Sequence, residues 1–355
     1  MKRQPALDGL RGIALLIVLC FHFSGPFQTG AQVSRAMELL LAGGWIGVEL
    51  FFALSGFLIT RSLLELEGPW QSRLIVFWRN RALRIFPAYF AFLIGCSLLD
   101  AVPRPSYWLY LSNWVQPGMP SEIYSYRSHL WSLAVEEQFY FLWPAAVLGL
   151  TRPKLAKLCV GIFLISAGLR AYQVHLGASD HFIYRATCFR MDSLALGSLA
   201  ALLSGPSMNR VLALGAATLL ATVTLAGTLA YDHSIVQLLG YPALALLFAG
   251  IVSATSRGWG ARVLSHPLFT GCGKYSYGAY LLHWPLAMAL WKPVSAARLA
   301  PAAMAGLVAL EVLATLAMAF CVYHGLEKHF LKLKAQRVTS SNEPEYPAAA
   351  PVTTR

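Results

Sequence analysis

Residues 7–22 read Leu7-Asp8-Gly9-Leu10-Arg11-Gly12-Ile13, then an apolar run that ends at His22. About 20 apolar residues, rising 1.5 Å each, carry one helix across the hydrocarbon core of a bilayer. This stretch therefore reads as a membrane helix, and it holds two ionisable side chains. Such groups are costly inside a membrane and are functional candidates by default. Arg11 and His22 are eleven residues apart, about three turns, so they share a face roughly 16 Å apart along the axis. Asp8 and Arg11 are neighbours at i, i+3. Two readings stand. Arg11 binds an anion and His22 is a buried base, or Arg11 snorkels to headgroups and His22 is a hydrogen-bonded structural residue. Lys2 and Arg3 precede the run, but no Ala-x-Ala-like site follows it, so it is expected to be a retained helix and not a cleaved signal.

The rest of the chain has the same character. Of 355 residues, 57% are hydrophobic and 12% charged, about half the roughly 25% charge of soluble domains. Mean hydropathy is +0.56. These figures exclude a disordered chain, a coiled coil and an ordinary water-soluble enzyme. They predict an all-α, polytopic membrane helical bundle with about ten transmembrane helices, at 10–27, 44–63, 83–102, 130–150, 155–174, 188–204, 210–230, 234–254, 276–294 and 301–324. Residues 1–337 form the membrane domain, and 338–355, rich in Ser, Thr, Pro and Ala, are expected to be a disordered cytoplasmic tail. No internal repeat is visible. The net charge is +12 and the pI about 9.6. In a membrane protein this reflects basic cytoplasmic loops, not a nucleic-acid partner. With both termini inside, 20 of the 28 Lys and Arg lie on the cytoplasmic side and 8 opposite. The six cysteines contain no Cys-x-x-Cys pair and read as free, buried thiols.

Several further segments carry polar chemistry. In the second span, Ser55-Gly56 reads as close helix packing, and Glu49 is expected at the outer interface, solvated. Arg73, Arg79, Arg81 and Arg84 lie in the cytoplasmic segment before the third span. Arg81 and Arg84, at i, i+3, suit phosphate through their planar forks of donors, although, taken alone, they are better accounted for by positive-inside topology and lipid headgroup contact. In the fourth span, Ser132, Glu136 and Tyr140 share a face. Glu137 points about 100° away. One carboxylate is expected to orient a histidine or accept a proton, the other to pair with an arginine. Arg190-Met191-Asp192, beside Arg170 and Arg185, reads either as an acceptor site or as a structural pair. The ninth span holds Tyr280, His283 and Pro285. Glu311 and Glu327 have no assigned role. No metal-ligand spacing and no Gly-rich phosphate loop occurs, and a metal site at His22, His129 and His283 is not favoured.

Taken in order, these segments resemble the acyltransferase 3 family of integral-membrane O-acyltransferases. The resemblance rests on Asp8-Gly9-Leu10-Arg11-Gly12 with His22, Phe51-Phe52 with Ser55-Gly56-Phe57-Leu58-Ile59, and Arg81-x-x-Arg84-Ile85-x-Pro87. It continues through Trp131-Ser132-Leu133-x-Val135-Glu136-Glu137-Gln138-Phe139-Tyr140, Arg190-x-Asp192, and Ser276-Tyr277 with Tyr280-Leu281-x-His283-Trp284-Pro285. Glu49 stands where the family usually has Asp, and His329 where it often has Pro. The resemblance implies transfer of an acyl group, usually acetyl, from cytoplasmic acyl-CoA, a donor substrate and not a bound cofactor. Acceptors are cell-envelope polysaccharides, lipid-linked glycans or small molecules such as macrolides. Some members carry an extracytoplasmic SGNH domain, and the chain is expected to act without a fused one.

On this reading Arg11, Arg81 and Arg84 bind the acyl-CoA phosphates. His22 is general base or acyl carrier, and Glu136 orients it. Glu137, Tyr140, Arg190, Asp192, Tyr280 and His283 support the acceptor side, with selectivity in loops 103–129 and 175–187. The expected setting is the cell inner membrane, with acyl-CoA, a glycan or glycolipid and the bilayer as partners and a homodimer left open. Rival readings are a glycan transporter or flippase and a structural subunit.

Overall fold

The computed structural model describes residues 4–24, 39, 42–99, 104–115, 125–203, 205–297 and 301–338, and every regular element among them is helical. The long helices are α1 (Pro5–Phe23), α2 (Ile46–Leu64), α3 (Trp70–Leu99), α4 (Trp131–Gly149), α5 (Arg152–His175), α6 (Met191–Leu202), α7 (Pro206–Ala226), α8 (Tyr241–Ser256), α9 (Pro267–Ala297), α10 (Pro301–Val322) and α11 (Lys328–Val338). Proline occupies the first positions of α1, α5 and α7, where its missing N–H breaks no helical bond and its φ is already helical. α7 ends at Gly227, whose φ of +64° is the left-handed turn that a Cβ disfavours. Residues 339–355, nearly all of the expected tail, lie outside the described residues.

Each expected span falls on a helix, but the count of ten is not carried by the structure. Seven helical stretches among the described residues are long and apolar enough to cross a membrane: α1, α2, α3, α5, α7, Val236–Ser256 and Ala302–Lys334. α6 has only 12 residues, roughly 18 Å of rise. α4 and α9 have the length, but their carboxylates, tyrosines and histidine dilute the apolar content. The side assignment of the basic residues rests on the same ten crossings. The third span, α3, needs a closer description. Its arginines sit inside one 30-residue helix, about 45 Å long. That exceeds the hydrocarbon core, and the segment that carries Arg73, Arg79 and Arg81 is helical and continuous with the expected third span.

Helices approach closely where glycine permits it. A Cβ on Gly12 would lie 2.1 Å from the Phe269 carbonyl oxygen, and one on Gly273 would lie 1.9 Å from that of Asp8. α1 and α9 therefore pack backbone to backbone. α2 and α6 do the same, with Gly56 facing Leu194 and Gly197 facing Ala53 at 2.0 and 2.1 Å by the same measure. Small residues at such crossings substitute for the hydrophobic drive that lipid does not supply.

Two buried ion pairs brace this crossing. Arg190 pairs with Glu49, both essentially inaccessible, and Ser193 Oγ donates to the same carboxylate. Arg170 reaches Asp192 at 2.8 Å and donates to the carbonyls of Gln237 and Phe189. Five aromatic rings, of Trp45, Phe52, Trp131, Tyr184 and Tyr241, surround the Arg190 guanidinium at 4.6–5.8 Å. Glu49 is thus not at a solvated interface. Arg190 and Asp192 are consumed in structural pairs and line no part of the cavity described below. All six cysteines are free, with Cys96, Cys159 and Cys272 buried and Cys20 and Cys321 exposed.

Candidate active site

The polar residues of α1, α2, α3, α4 and α9 converge on one cavity of about 90 Å³. Its lining includes Arg11, Ser55, Arg81, Arg84, Glu136, Glu137, Tyr140, Ser276 and Tyr280. Arg11, Leu58, Arg81 and Arg84 also line an adjoining cavity of about 400 Å³, together with Asp8, Asn80 and Lys334. The two volumes therefore form a wide basic mouth that narrows into the bundle past three guanidinium groups. Arg11 keeps Asp8 as a neighbour at 3.8 Å. The Arg81 guanidinium lies over the rings of Phe77 and Tyr140 at 5.6 and 5.4 Å, which fixes its plane while leaving donor edges for a ligand.

Beyond the arginines a hydroxyl–carboxylate chain lines the wall. Ser55 Oγ donates to Glu136 Oε1 at 2.5 Å, and Tyr140 donates to Ser55 Oγ at 3.0 Å. Glu136 and Tyr140 share the α4 face expected from their spacing. Ser132, on the same face, lies 2.5 Å from the Tyr280 hydroxyl, which donates to the His129 carbonyl. Glu137 faces the cavity with Oε1 buried and, among the described residues, without a hydrogen-bond partner. Gln138 turns the other way. Its amide donates to Tyr110 O and Asn113 Oδ1 at 2.7 and 2.9 Å, tying the two short helices at Pro105–Trp108 and Ser112–Val115 to α4.

His22 lies outside that cavity and does not meet Glu136. Its Nδ1 is 3.1 Å from Nε2 of His283, whose Nδ1 is 2.7 Å from the Tyr280 carbonyl. His283 is fully buried. The His129 ring lies 5.2 Å from that of His283, and the Trp284 ring 4.9 Å from that of His22. Trp284 Nε1 donates to the Ser125 carbonyl. The expected Glu136–His22 dyad is therefore replaced by two separate units, Glu136 with Ser55 and Tyr140, and His22 with His283. The reason is translational. Glu136 lies level with Ser55, midway along α2, whereas His22 is in the last turn of α1. Tyr280 joins the units, since it lines the cavity and its carbonyl holds His283. Among the described residues no group of three His, Cys, Asp or Glu is disposed to hold a metal ion.

Ser55 and Lys334 line these cavities but are not among the site residues expected from the sequence. Ser55-Gly56 reads as close packing, and the glycine does pack, but the serine lines the cavity. Lys334 comes from α11, at the far end of the chain. Its only signal was amphipathicity in a basic segment, which does not specify a target.

A helical bundle that spans the membrane several times and encloses a polar cavity behind a cluster of arginines defines a multi-pass membrane protein with an internal binding site. The chain belongs to the acyltransferase 3 family, whose profile, described as an acyltransferase domain, matches residues 4–324. Among its relatives is a Staphylococcus aureus (strain MSSA476) protein provisionally named an O-acetyltransferase, 28% identical over 318 residues, 80% of this chain and 50% of the relative. The peptidoglycan O-acetyltransferase OatA of Listeria monocytogenes is 28% identical over 330 residues, 80% of this chain and 49% of its own. The O-acetyltransferase OatA of Staphylococcus aureus (strain NCTC 8325) is 27% identical over 317 residues, 79% and 50% respectively. The chain spans about half the length of these curated relatives. No solved structure matches it significantly.

Proposed function

We propose that the chain transfers an acyl group, acetyl in the first instance, from acyl-CoA to a hydroxyl of a cell-envelope polysaccharide or lipid-linked glycan. The observation that carries this reading is the convergence of Arg11, Arg81 and Arg84 on a mouth that narrows into a cavity walled by Ser55, Glu136 and Tyr140. Family membership and the O-acetyltransferase names of relatives support it. The peptidoglycan named for one relative supports a glycan acceptor.

The arginines hold the phosphates of the donor by charge-assisted hydrogen bonds. The pantetheine arm follows the cavity towards Tyr280, and the thioester stops near the histidine pair. The roughly 16 Å between Arg11 and His22 along α1 suits an arm of that reach. His22 takes the proton of the acceptor hydroxyl as its oxygen attacks the thioester carbonyl. A C–O bond forms, the C–S bond breaks, and the imidazolium returns the proton to the leaving thiolate. Glu136 serves the donor channel through Ser55 rather than orienting His22. Glu137, whose Oε1 has no hydrogen-bond partner among the described residues, interacts with Arg81 or the donor arm. The basic mouth faces the cytoplasm, where acyl-CoA is found, and the protein acts in the cell inner membrane.

The test is transfer of label from [14C]acetyl-CoA to an envelope glycan extract by purified protein in nanodiscs, wild type beside His22→Ala. Label on glycan with wild type alone is expected, with acetyl-CoA binding retained in both. Transfer by His22→Ala sinks the base assignment. Absence of any acetyl-CoA binding favours a transporter.

A further inference from the structure

We infer that His283 is a positioning residue that selects the tautomer of His22, holding its proton on Nδ1 and leaving Nε2 as the free base. The inference rests on the reading that His22 is the base, and it adds which nitrogen acts and what determines it.

The assignment follows from what each partner is able to do. The Tyr280 carbonyl oxygen only accepts, so the His283 nitrogen 2.7 Å from it, Nδ1, carries a proton. A neutral imidazole has one N–H, so Nε2 of His283 is an acceptor. The nitrogen facing it at 3.1 Å is Nδ1 of His22, which must be the donor. The remaining lone pair of His22 is then on Nε2, which has no hydrogen-bond partner among the described residues. Trp284, edge-on to His22, directs its N–H to the Ser125 carbonyl and does not compete.

Burial makes the selection firm. His283 is 0% exposed, so water does not rescue the alternative arrangement. With the opposite His22 tautomer, two lone pairs would face each other at hydrogen-bond distance. Both histidines belong to tightly packed helices, α1 and α9, which meet backbone to backbone at Gly12 and Gly273. That crossing holds the two rings in register. The arrangement differs from a carboxylate–histidine dyad because the orienting group is neutral. It directs the proton and steadies the imidazolium through one hydrogen bond, without a full countercharge.

The experiment has a spectroscopic and a kinetic arm. In micelles of the full chain labelled with [15N]histidine, the His22 resonances are found by difference against His22→Gln. The expected spectrum is a neutral ring protonated on Nδ1, retained in His283→Gln, whose amide oxygen accepts the same proton, and shifted towards Nε2–H in His283→Leu. In the transfer assay, His283→Leu lowers kcat by about 10²–10⁴, the range for a general base or a misplaced tautomer, with the KM for acetyl-CoA unchanged. His283→Gln stays within about tenfold of wild type. Retained acetyl-CoA affinity confirms that the leucine variant is folded, and the wild-type spectrum needs no substitution at 283. A wild-type His22 protonated on Nε2, or equal losses of kcat in the Gln and Leu variants, overturns the inference. Transfer by His22→Ala overturns instead the reading on which it rests, while the spectrum still reports the tautomer.

Discussion

Replacing Arg190 by leucine separates a structural role from an acceptor-binding one. In the wild type Glu49 and Arg190 are 1% and 0% exposed, and Arg190 sits among five aromatic rings. Arg190→Leu leaves the Glu49 carboxylate buried with the Ser193 hydroxyl as its remaining direct donor. Removing one member of a buried pair costs about 3–5 kcal/mol, because the other charge is stranded. At about 2.1 cal/mol/K of unfolding entropy per residue, this lowers Tm by roughly 4–7 °C. The double variant Arg190→Leu/Glu49→Leu removes both charges and is expected to recover most of that loss. Tryptophan-fluorescence melting of detergent-solubilised protein reads the stability, and the transfer assay reads the acceptor KM. An Arg190→Leu protein that melts like the wild type but has a raised acceptor KM would refute the structural reading and return Arg190 to the acceptor site.

Other perturbations test the cavity. Arg84→Ala is expected to raise the KM for acyl-CoA about tenfold or more with kcat little changed, as loss of a charge-assisted ground-state contact does; a fall in kcat alone contradicts a docking role. Lys334→Ala produces a smaller rise, two- to fivefold at low salt and weaker at high salt, because an exposed ammonium is screened; a salt-independent effect removes Lys334 from the phosphate mouth. Ser55→Ala removes the partner of both Glu136 and Tyr140 and is expected to lower kcat/KM by about 1–3 kcal/mol, while Ser55→Thr preserves the hydroxyl; equal activity of Ala and wild type shows that the chain Tyr140–Ser55–Glu136 is not used. Gly56→Val places side-chain atoms where the Leu194 carbonyl stands, so the yield of folded protein falls steeply, and a normally folded valine variant refutes the close α2–α6 crossing.

Much of the site was legible before any coordinates. Arg11, Arg81, Arg84, Glu136, Glu137 and Tyr140 do share one cavity, because charge in an apolar helix has few tolerable places and burial drives such groups together. The partnerships were not legible. Glu136 is expected from the sequence to orient His22 yet accepts from Ser55, and spacing along α4 says nothing about the height of a residue on another helix. Arg190 illustrates the same gap. An adjacent Asp192 suggested a local pair, yet Arg190 pairs with Glu49 of α2 and Asp192 with Arg170 of α5.

The linear pattern was sufficient for an all-helical membrane bundle and for the stripe that joins Arg11 to His22, since helical periodicity and the cost of charge in lipid act within one segment. The number of crossings, the exchange of partners between Glu136 and the histidines, the entry of Lys334 from the far end of the chain and the proton position on His22 depend on how helices sit against one another. Those distances are set by backbone approach at a few glycines and by side chains remote in sequence, so they exist only once the bundle is assembled.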